Sequence, residues 1–242
     1  MRRRSDWRPT KFLVIDGCLR GDPTGAHISV SSRVAGDLLA AHYGAALIKY
    51  ARGNLLDLGC GNVPLFGLYE NLVDEVYCVD WLASLHQQRH VDVFADLTQP
   101  LPLRDATFDT ILLSDVLEHI PNPERLISEI SRLLRPNGHI IIGVPFLYWL
   151  HEIPHDFNRY TRYQLKRLVE NAGLEVVHLN EVGGSPEVLV DIMSKTLASR
   201  PRLTAAFVTV ATWILKRKFV RRLSQGTSRV MPLAYVVIAT KS

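Results

Sequence analysis

The chain has 242 residues, 47% of them hydrophobic, and a net charge of +4. That is enough apolar material for a substantial core, and it excludes a disordered or fibrous chain. The charge is unevenly spread: Ile192–Ser242 holds ten Lys or Arg and no acid, so the remainder carries −6 (4 − 10). This last fifth is therefore expected to meet anions.

Residues 1–31 read as an irregular N-terminal arm with a short strand at Phe12–Ile15. Its basic start, MRRRSDWRPT, is followed by too short an apolar run for an export signal, so a cytoplasmic location is expected. The three cysteines, Cys18, Cys60 and Cys78, match no zinc or redox spacing and are expected to be reduced and buried. From residue 32 onward a single domain is expected. Its first helix, Ser32–Ala51, carries Val34, Leu38, Leu39, Tyr43, Ala46, Leu47 and Tyr50 at helical spacing, with Ser31 or Ser32 as cap.

Strands and helices then alternate. Strands are expected at Leu55–Leu58, Glu75–Val79, Val91–Phe94, Thr107–Leu113 and His139–Val144. Between them lie helices at Pro64–Glu70 and Pro123–Leu134, the second stopped by Pro136-Asn137-Gly138. A helix at Tyr163–Ala172, a strand at Leu174–Leu179 and a strand at Ala234–Thr240 complete the series. This alternation predicts a mostly parallel sheet covered on both faces, which binds ligands beyond the carboxyl ends of its strands.

The candidate motifs sit at those ends. Asp57-Leu58-Gly59-Cys60-Gly61 follows the first sheet strand, and its glycines let backbone approach a ligand. Pro64 stands where a dinucleotide fingerprint has its third glycine, and Asp57 suits an amine-bearing cation better than a pyrophosphate. Asp80, 19 residues after Gly61, can accept hydrogen bonds from ribose hydroxyls. Asp96 and Leu97 follow the third strand, and Ser114, Asp115 and His119 the fourth.

As a set, DLGCGN, VD, ADL and FDTILLSDVLEHIPNPERLISEISRLLRPNGHIIIGVP resemble class I S-adenosylmethionine-dependent methyltransferases of the type 11 kind, over about Leu55–Val177. The resemblance implies an α/β, Rossmann-like seven-stranded sheet with an N-terminal helix and a helical insertion before the last, antiparallel strand. It also implies S-adenosylmethionine as cofactor and S-adenosylhomocysteine as product. Asp57, Leu58, Gly59, Cys60 and Gly61 would hold the methionine end, Asp80 the ribose, and Trp81, Asp96 and Leu97 the adenine. Ser114, Asp115 and His119 would line the floor between cofactor and acceptor.

Pro145–Thr161, opening after the fifth strand, is rich in aromatic and ionisable residues and is the expected acceptor loop. His155 is the expected base, with Asp156 orienting or activating it, binding the substrate, or instead tying the loop to Arg159 or Arg162, and His119 and His151 compete for the role of base. Tyr148, His151, Arg159 and Tyr160 are substrate-binding candidates, Arg159 for an anionic group on the acceptor. The string His155–Thr161 resembles methyltransferases associated with bacterial surface-polysaccharide and glycolipid synthesis, which implies a sugar hydroxyl or other small-molecule acceptor. Rivals are C- or N-methylation of a quinone, lipid or other metabolite, RNA methylation, and a catalytically silent cofactor-binding partner subunit. No His/Asp/Glu run has ligand spacing, so no metal is expected.

The insertion, 185–230, contains thirteen uncharged residues, Leu203–Leu215, followed by Lys216-Arg217-Lys218 and Arg221-Arg222. Thirteen residues are too few to span a bilayer. Residues 203–222 are read as a buried core or homodimer helix, or as an element lying on an anionic membrane face. Without an RNA-binding module, nucleic acid is the least favoured partner.

Overall fold

The computed structural model describes residues 1–22, 24, 27–84, 86 and 88–242. In the arm, strands β1 (Phe12–Ile15) and β2 (Cys18–Gly21) pair as an antiparallel hairpin. The second strand was not expected. Its turn is Asp16-Gly17, with φ of 51° and 72°, the two-residue Asp-Gly connection that suits twisted hairpins. The arm is packed onto the domain: the Trp7 ring meets Phe66 edge to face at 5.1 Å, and its indole N–H donates to the Val63 carbonyl.

Helix α1 (Arg33–Tyr50) follows a 3-10 turn at Val30–Ser32. Ser32 stands at its N-cap but caps nothing with its hydroxyl, which lies 3.3 Å from the Tyr148 hydroxyl instead. The sheet strands are β3 (Asn54–Leu58), β4 (Glu75–Asp80), β5 (Val93–Phe94), β6 (Phe108–Ser114), β7 (Leu134–Pro145), β8 (Leu174–Val182) and β9 (Ala234–Lys241). Helices α2 (Phe66–Tyr69), α3 (Pro123–Leu133) and α4 (Arg162–Asn171) lie between them. Helices α5 (Ser185–Thr196), α6 (Pro201–Leu215) and α7 (Lys218–Thr227) separate β8 from β9. Pro136-Asn137-Gly138 does not stop α3, which ends at Leu133. The tripeptide forms an irregularity inside β7, where pairing shifts from Phe108–Leu134 to Thr110–His139.

The seven strands run in the order β5-β4-β3-β6-β7-β9-β8, with β9 antiparallel to both neighbours. Alternate residues of the central strands are buried on opposite faces, Leu56, Leu58, Ile140 and Ile142 on one and Leu55, Ile141 and Val236 on the other. Such burial on both sides explains the near-continuous aliphatic runs. The order reverses at β3 and β6, so the carboxyl ends of those strands frame a crevice. Cys60 and Cys78 are buried and free, but Cys18 is exposed, because its place on the hairpin points it outward.

Gly143, near the carboxyl end of β7, faces the fully buried Tyr43 of α1, and a Cβ there would overlap the Tyr43 hydroxyl. Gly143→Ala should therefore cost roughly 2 kcal/mol or more, the scale of overpacking in a close-packed core. Urea unfolding checks this; an unchanged midpoint contradicts the packing described.

Candidate active site

The glycine turn after β3 is pinned by backbone. Gly59 and Cys60 donate their N–H groups to the Val79 carbonyl at 2.8 and 3.1 Å, and Gly61 donates to Asp80 Oδ2 at 2.9 Å. Gly59 and Gly61 hold φ of 68° and 52°. A Cβ on Gly59 would come within 2.5 Å of Val116, and one on Gly61 within 3.1 Å of the His86 ring. Both bulk and handedness thus require glycine. Leu58 and Cys60 are buried beneath this cradle.

Asp80 also accepts the Trp81 N–H through Oδ1 at 2.8 Å. Burial raises its pKa, against the pull of these two N–H donors. Each carboxylate oxygen has two acceptor directions, so the group retains capacity for ribose hydroxyls. Asp57 is 1% exposed; its Oδ2 accepts the Tyr69 hydroxyl at 2.9 Å, while Oδ1 has no hydrogen-bond partner among the described residues. Burial pushes its pKa to about 7, against the Tyr69 bond and with the Asp80 charge. A cradle free of side chains beside an orphaned carboxylate oxygen and a strand-end acid fits an amine- and ribose-bearing ligand. Trp81 is 38% exposed, with its ring edge to face with His155 at 5.3 Å. Asp96 is exposed and closes its own turn by accepting from Thr98, whereas Leu97 is buried.

On the other side of the crevice, Ser114 ends β6 half-buried. Asp115 follows at φ 54° and donates its N–H to the Gly143 carbonyl. Its carboxylate accepts from Lys11 Nζ and from the Tyr43 hydroxyl, both at 3.3 Å. Glu118 is 0% exposed, and neither carboxylate oxygen has a hydrogen-bond partner among the described residues. Burial raises its pKa, reinforced by the Asp115 charge and opposed by His151 and His119. Nε2 of His119 and of His151 lie 3.7 and 3.6 Å from Glu118 Oε1. A cavity of about 240 Å³ opens here, lined among others by Lys11, Asp115, Glu118, Tyr148, His151 and Glu152.

In the acceptor loop, the alternative in which Asp156 ties the loop to Arg159 is the one the structure shows. Asp156 does not face the His155 ring. It accepts from Arg159 at 2.5 and 2.7 Å and from the His151 N–H at 2.9 Å, and its Oδ2 lies 3.2 Å from His151 Nδ1. Burial would raise the Asp156 pKa, but Arg159 and the His151 N–H reverse that and hold it at about 2. Arg159 is further engaged by the Trp149 and Asn158 carbonyls, so its guanidinium ties the loop together. Tyr160 is 3% exposed and donates to the Leu117 carbonyl, which puts it in the core and not in the cavity. His155 contributes its carbonyl, 2.7 Å from His119 Nδ1.

Lys11, Tyr43, His86, Glu118 and Glu152 were missed as site residues. Glu118 stands inside the quoted LEH motif, so a signal was there. Lys11 is 104 positions from Asp115, and no pattern in the chain links them. Glu118, His119 and His151 bring three ligand atoms within 4.8 Å of one another, which linear spacing could not reveal.

This fold and cradle define a class I, nucleoside-binding α/β protein. A family described as methyltransferase domain matches residues 32–179, more than half of the chain. The chain belongs to that family, whose cofactor is S-adenosylmethionine. An uncharacterized protein of Methanocaldococcus jannaschii is 36% identical over 93 residues, 38% of this chain and 45% of that protein. The match thus spans less than half of that relative's length. A ubiquinone biosynthesis O-methyltransferase of Azoarcus is 26% identical over 66% of this chain and 78% of its own. Among solved structures, a SAM-dependent methyltransferase from Archaeoglobus fulgidus superposes with a TM-score of 0.57 at 19% identity, covering 87% of this chain and 97% of that one. The [4+2]-cyclase SpnF gives 0.53 at 18% identity, over 96% and 86%. A fold shared with a cyclase leaves the reaction to the site.

Asp57 gives a pH signature. Its pKa is raised from 3.8 to about 7 in the folded chain. Between those values the unfolded chain is ionised and the folded chain protonated, so stability falls as pH rises. Asp57→Asn, which keeps an acceptor for Tyr69, should flatten this slope and gain on the order of 1 kcal/mol or more at pH 8. Thermal melts from pH 4 to 8 measure it; parallel curves for the two proteins refute it.

Proposed function

We propose that the protein methylates a hydroxyl oxygen of a sugar, glycolipid or other small-molecule acceptor held in the 240 Å³ cavity lined by Asp115, Glu118 and His151. The observation that carries this is the buried Glu118 carboxylate between two imidazoles at the cavity wall. An alcohol must shed a proton before or as it attacks, and such a cluster suits that task better than it suits a carbon nucleophile. S-adenosylmethionine, when bound, supplies an electrophilic methyl group on a sulfonium. The chain's own part is positioning: Gly59, Gly61, Asp57 and Asp80 hold the cofactor, with Trp81, Asp96 and Leu97 on its adenine side. Asp115, fixed by Lys11 and Tyr43, separates it from the acceptor.

Aligning acceptor oxygen and methyl carbon accounts for much of the rate of such an in-line displacement. Since Asp156 serves His151 and Arg159, the group that activates the acceptor hydroxyl is the Glu118–His119–His151 cluster, and His155 borders the cofactor through Trp81. Relatives named ubiquinone biosynthesis O-methyltransferases favour oxygen as the methylated atom and a ring hydroxyl as the second acceptor class. Isotopic methyl labelling of a cell extract with the purified protein, followed by mass spectrometry, should yield an O-methylated product. His151→Ala should lose at least ~100-fold in turnover and His155→Ala far less, the scale of losing the group that activates the hydroxyl. The reverse order removes the cluster from this role; an N- or C-methylated product removes the acceptor reading. Tight cofactor binding with no product from any acceptor class returns the silent subunit.

The insertion supports a membrane-facing role. Helix α6 buries only Thr204, Val208 and Ala211, so it is not a core helix of this chain. Leu203, Val210, Trp213 and Phe219 are 47, 57, 60 and 77% exposed, beside exposed Lys216, Arg217, Lys218, Arg221 and Arg222. No helix among the described residues is long and apolar enough to cross a membrane. Apolar side chains next to unopposed cations complement an anionic lipid surface, at about 1 kcal/mol per basic residue. A groove of about 950 Å³ between α1 and α6–α7, rimmed by Lys216 and Arg221, opens on a different face of α1 from the acceptor cavity. Phosphatidylglycerol-containing vesicles should bind the protein, and changing Lys216, Arg217, Arg221 and Arg222 to Gln should weaken binding at least ~10-fold. Equal affinity for neutral vesicles, or a salt-insensitive dimer in sedimentation, contradicts this reading.

A further inference from the structure

We propose that Glu118, His119 and His151 form a divalent transition-metal site in the wall of the acceptor cavity. The inference deepens the methyl-transfer reading, on which its catalytic consequence rests, by naming what activates the acceptor.

Glu118 is completely buried, and neither oxygen receives a hydrogen bond from any described residue. A carboxylate so placed is costly unless a cation or donors compensate it. Both imidazoles are oriented to supply the rest of such a site. The ring nitrogen of His119 that meets the His155 carbonyl, at 2.7 Å, must carry the hydrogen, because a carbonyl only accepts. That leaves Nε2 as a lone pair directed toward Glu118 Oε1, 3.7 Å away. His151 has Nε2 3.6 Å from the same Glu118 oxygen, and its Nδ1 lies 3.2 Å from Asp156 Oδ2, at ion-pair range but without a hydrogen bond. Histidines that ligate metals characteristically donate their other ring N–H to a carbonyl or a carboxylate.

The spacing agrees with this. Ligand atoms about 2.1 Å from a tetrahedral ion lie about 3.4 Å apart. The two Nε2–Oε1 separations, 3.6 and 3.7 Å, come close to this, while the widest separation among the three ligand atoms reaches 4.8 Å, so the ligands must draw together around a bound ion. An imidazolium hydrogen-bonded to Glu118 is the competing account, but separations above 3.5 Å are too long for that bond. The surroundings are anionic: Glu152 Oε2 is 4.0 Å from His119 Nε2, and Asp115 lines the same cavity with Lys11 as its counter-charge. Two nitrogens and one carboxylate favour zinc, manganese, iron(II) or cobalt(II) over calcium or magnesium. Three protein ligands leave a position open, as catalytic sites do. A hydroxyl taking that position is acidified by the cation and releases its proton to solvent.

Cobalt(II) titrated into chelator-treated, untagged full-length protein tests this through its visible absorption and by calorimetry. The expected result is one ion per chain, with affinity at least ~10-fold weaker in Glu118→Gln, His151→Ala and the outer-shell variant Asp156→Asn. His151 is on the loop, so His151→Ala carries the test if Glu118→Gln does not fold. Absence of stoichiometric cobalt binding by the wild-type chain, or equal affinity in a folded His151→Ala, overturns the site. Calorimetry with S-adenosylhomocysteine separates the two readings. Nucleoside binding without cobalt binding sinks the metal site alone. Cobalt binding without nucleoside binding sinks the methyltransferase reading and leaves the metal site standing.

Discussion

Carboxylates removed from water at the carboxyl edge of the sheet set the terms for everything around them. Asp57, Asp80 and Glu118 are each at most 5% exposed. A buried charge must find donors, a counter-ion or a proton. Asp80 finds the Gly61 N–H of the glycine turn, which it thereby braces, and the N–H of its neighbour Trp81. Asp57 finds the Tyr69 hydroxyl and holds its proton to about pH 7. Glu118 finds two imidazoles at ion-pair range and no hydrogen bond among the described residues. Satisfying these groups dictates where α2, the glycine turn and the acceptor loop must sit.

The acceptor loop shows how such a constraint propagates. Phe157 and Asn158 donate their N–H groups to the Glu118 carbonyl, so the loop is stitched to the residue whose side chain walls the cavity. Asp156 and Arg159 then brace its middle. The Arg–carboxylate fork is geometrically specific, which suits it to holding a backbone in one conformation. Loop and strand-end groups are thereby brought to a common wall without any helix or strand spanning them.

The insertion obeys different physics. Apolar side chains of α6 are left outside the core, while Arg217 covers the exposed Trp213 ring at 3.6 Å. A guanidinium stacked on an exposed indole is a cation–π contact held at the surface.

The alternation of aliphatic strands with amphipathic helices was legible because side-chain periodicity is local. Seven strands, their approximate limits and the reversed last strand were read in this way or from motif resemblance. The glycine turn and Asp80 were equally legible, since a tight turn after a strand demands particular residue types at fixed spacing. Other details were lost where a longer-range interaction prevailed. Leu134 leaves α3 to pair with Phe108, and the Asp16-Gly17 hairpin was overlooked although its turn chemistry was present. What the chain by itself determined was a nucleoside-binding α/β sheet with acids at its edge. The Asp156–Arg159 tie was one of several pairings open within the loop; only the tertiary structure selected it, set His151 beside Asp156 and brought Lys11 to Asp115. It alone also gathered Glu118, His119 and His151. Those groupings arise from how separate segments are folded together, and no spacing rule along one chain encodes a distance through space.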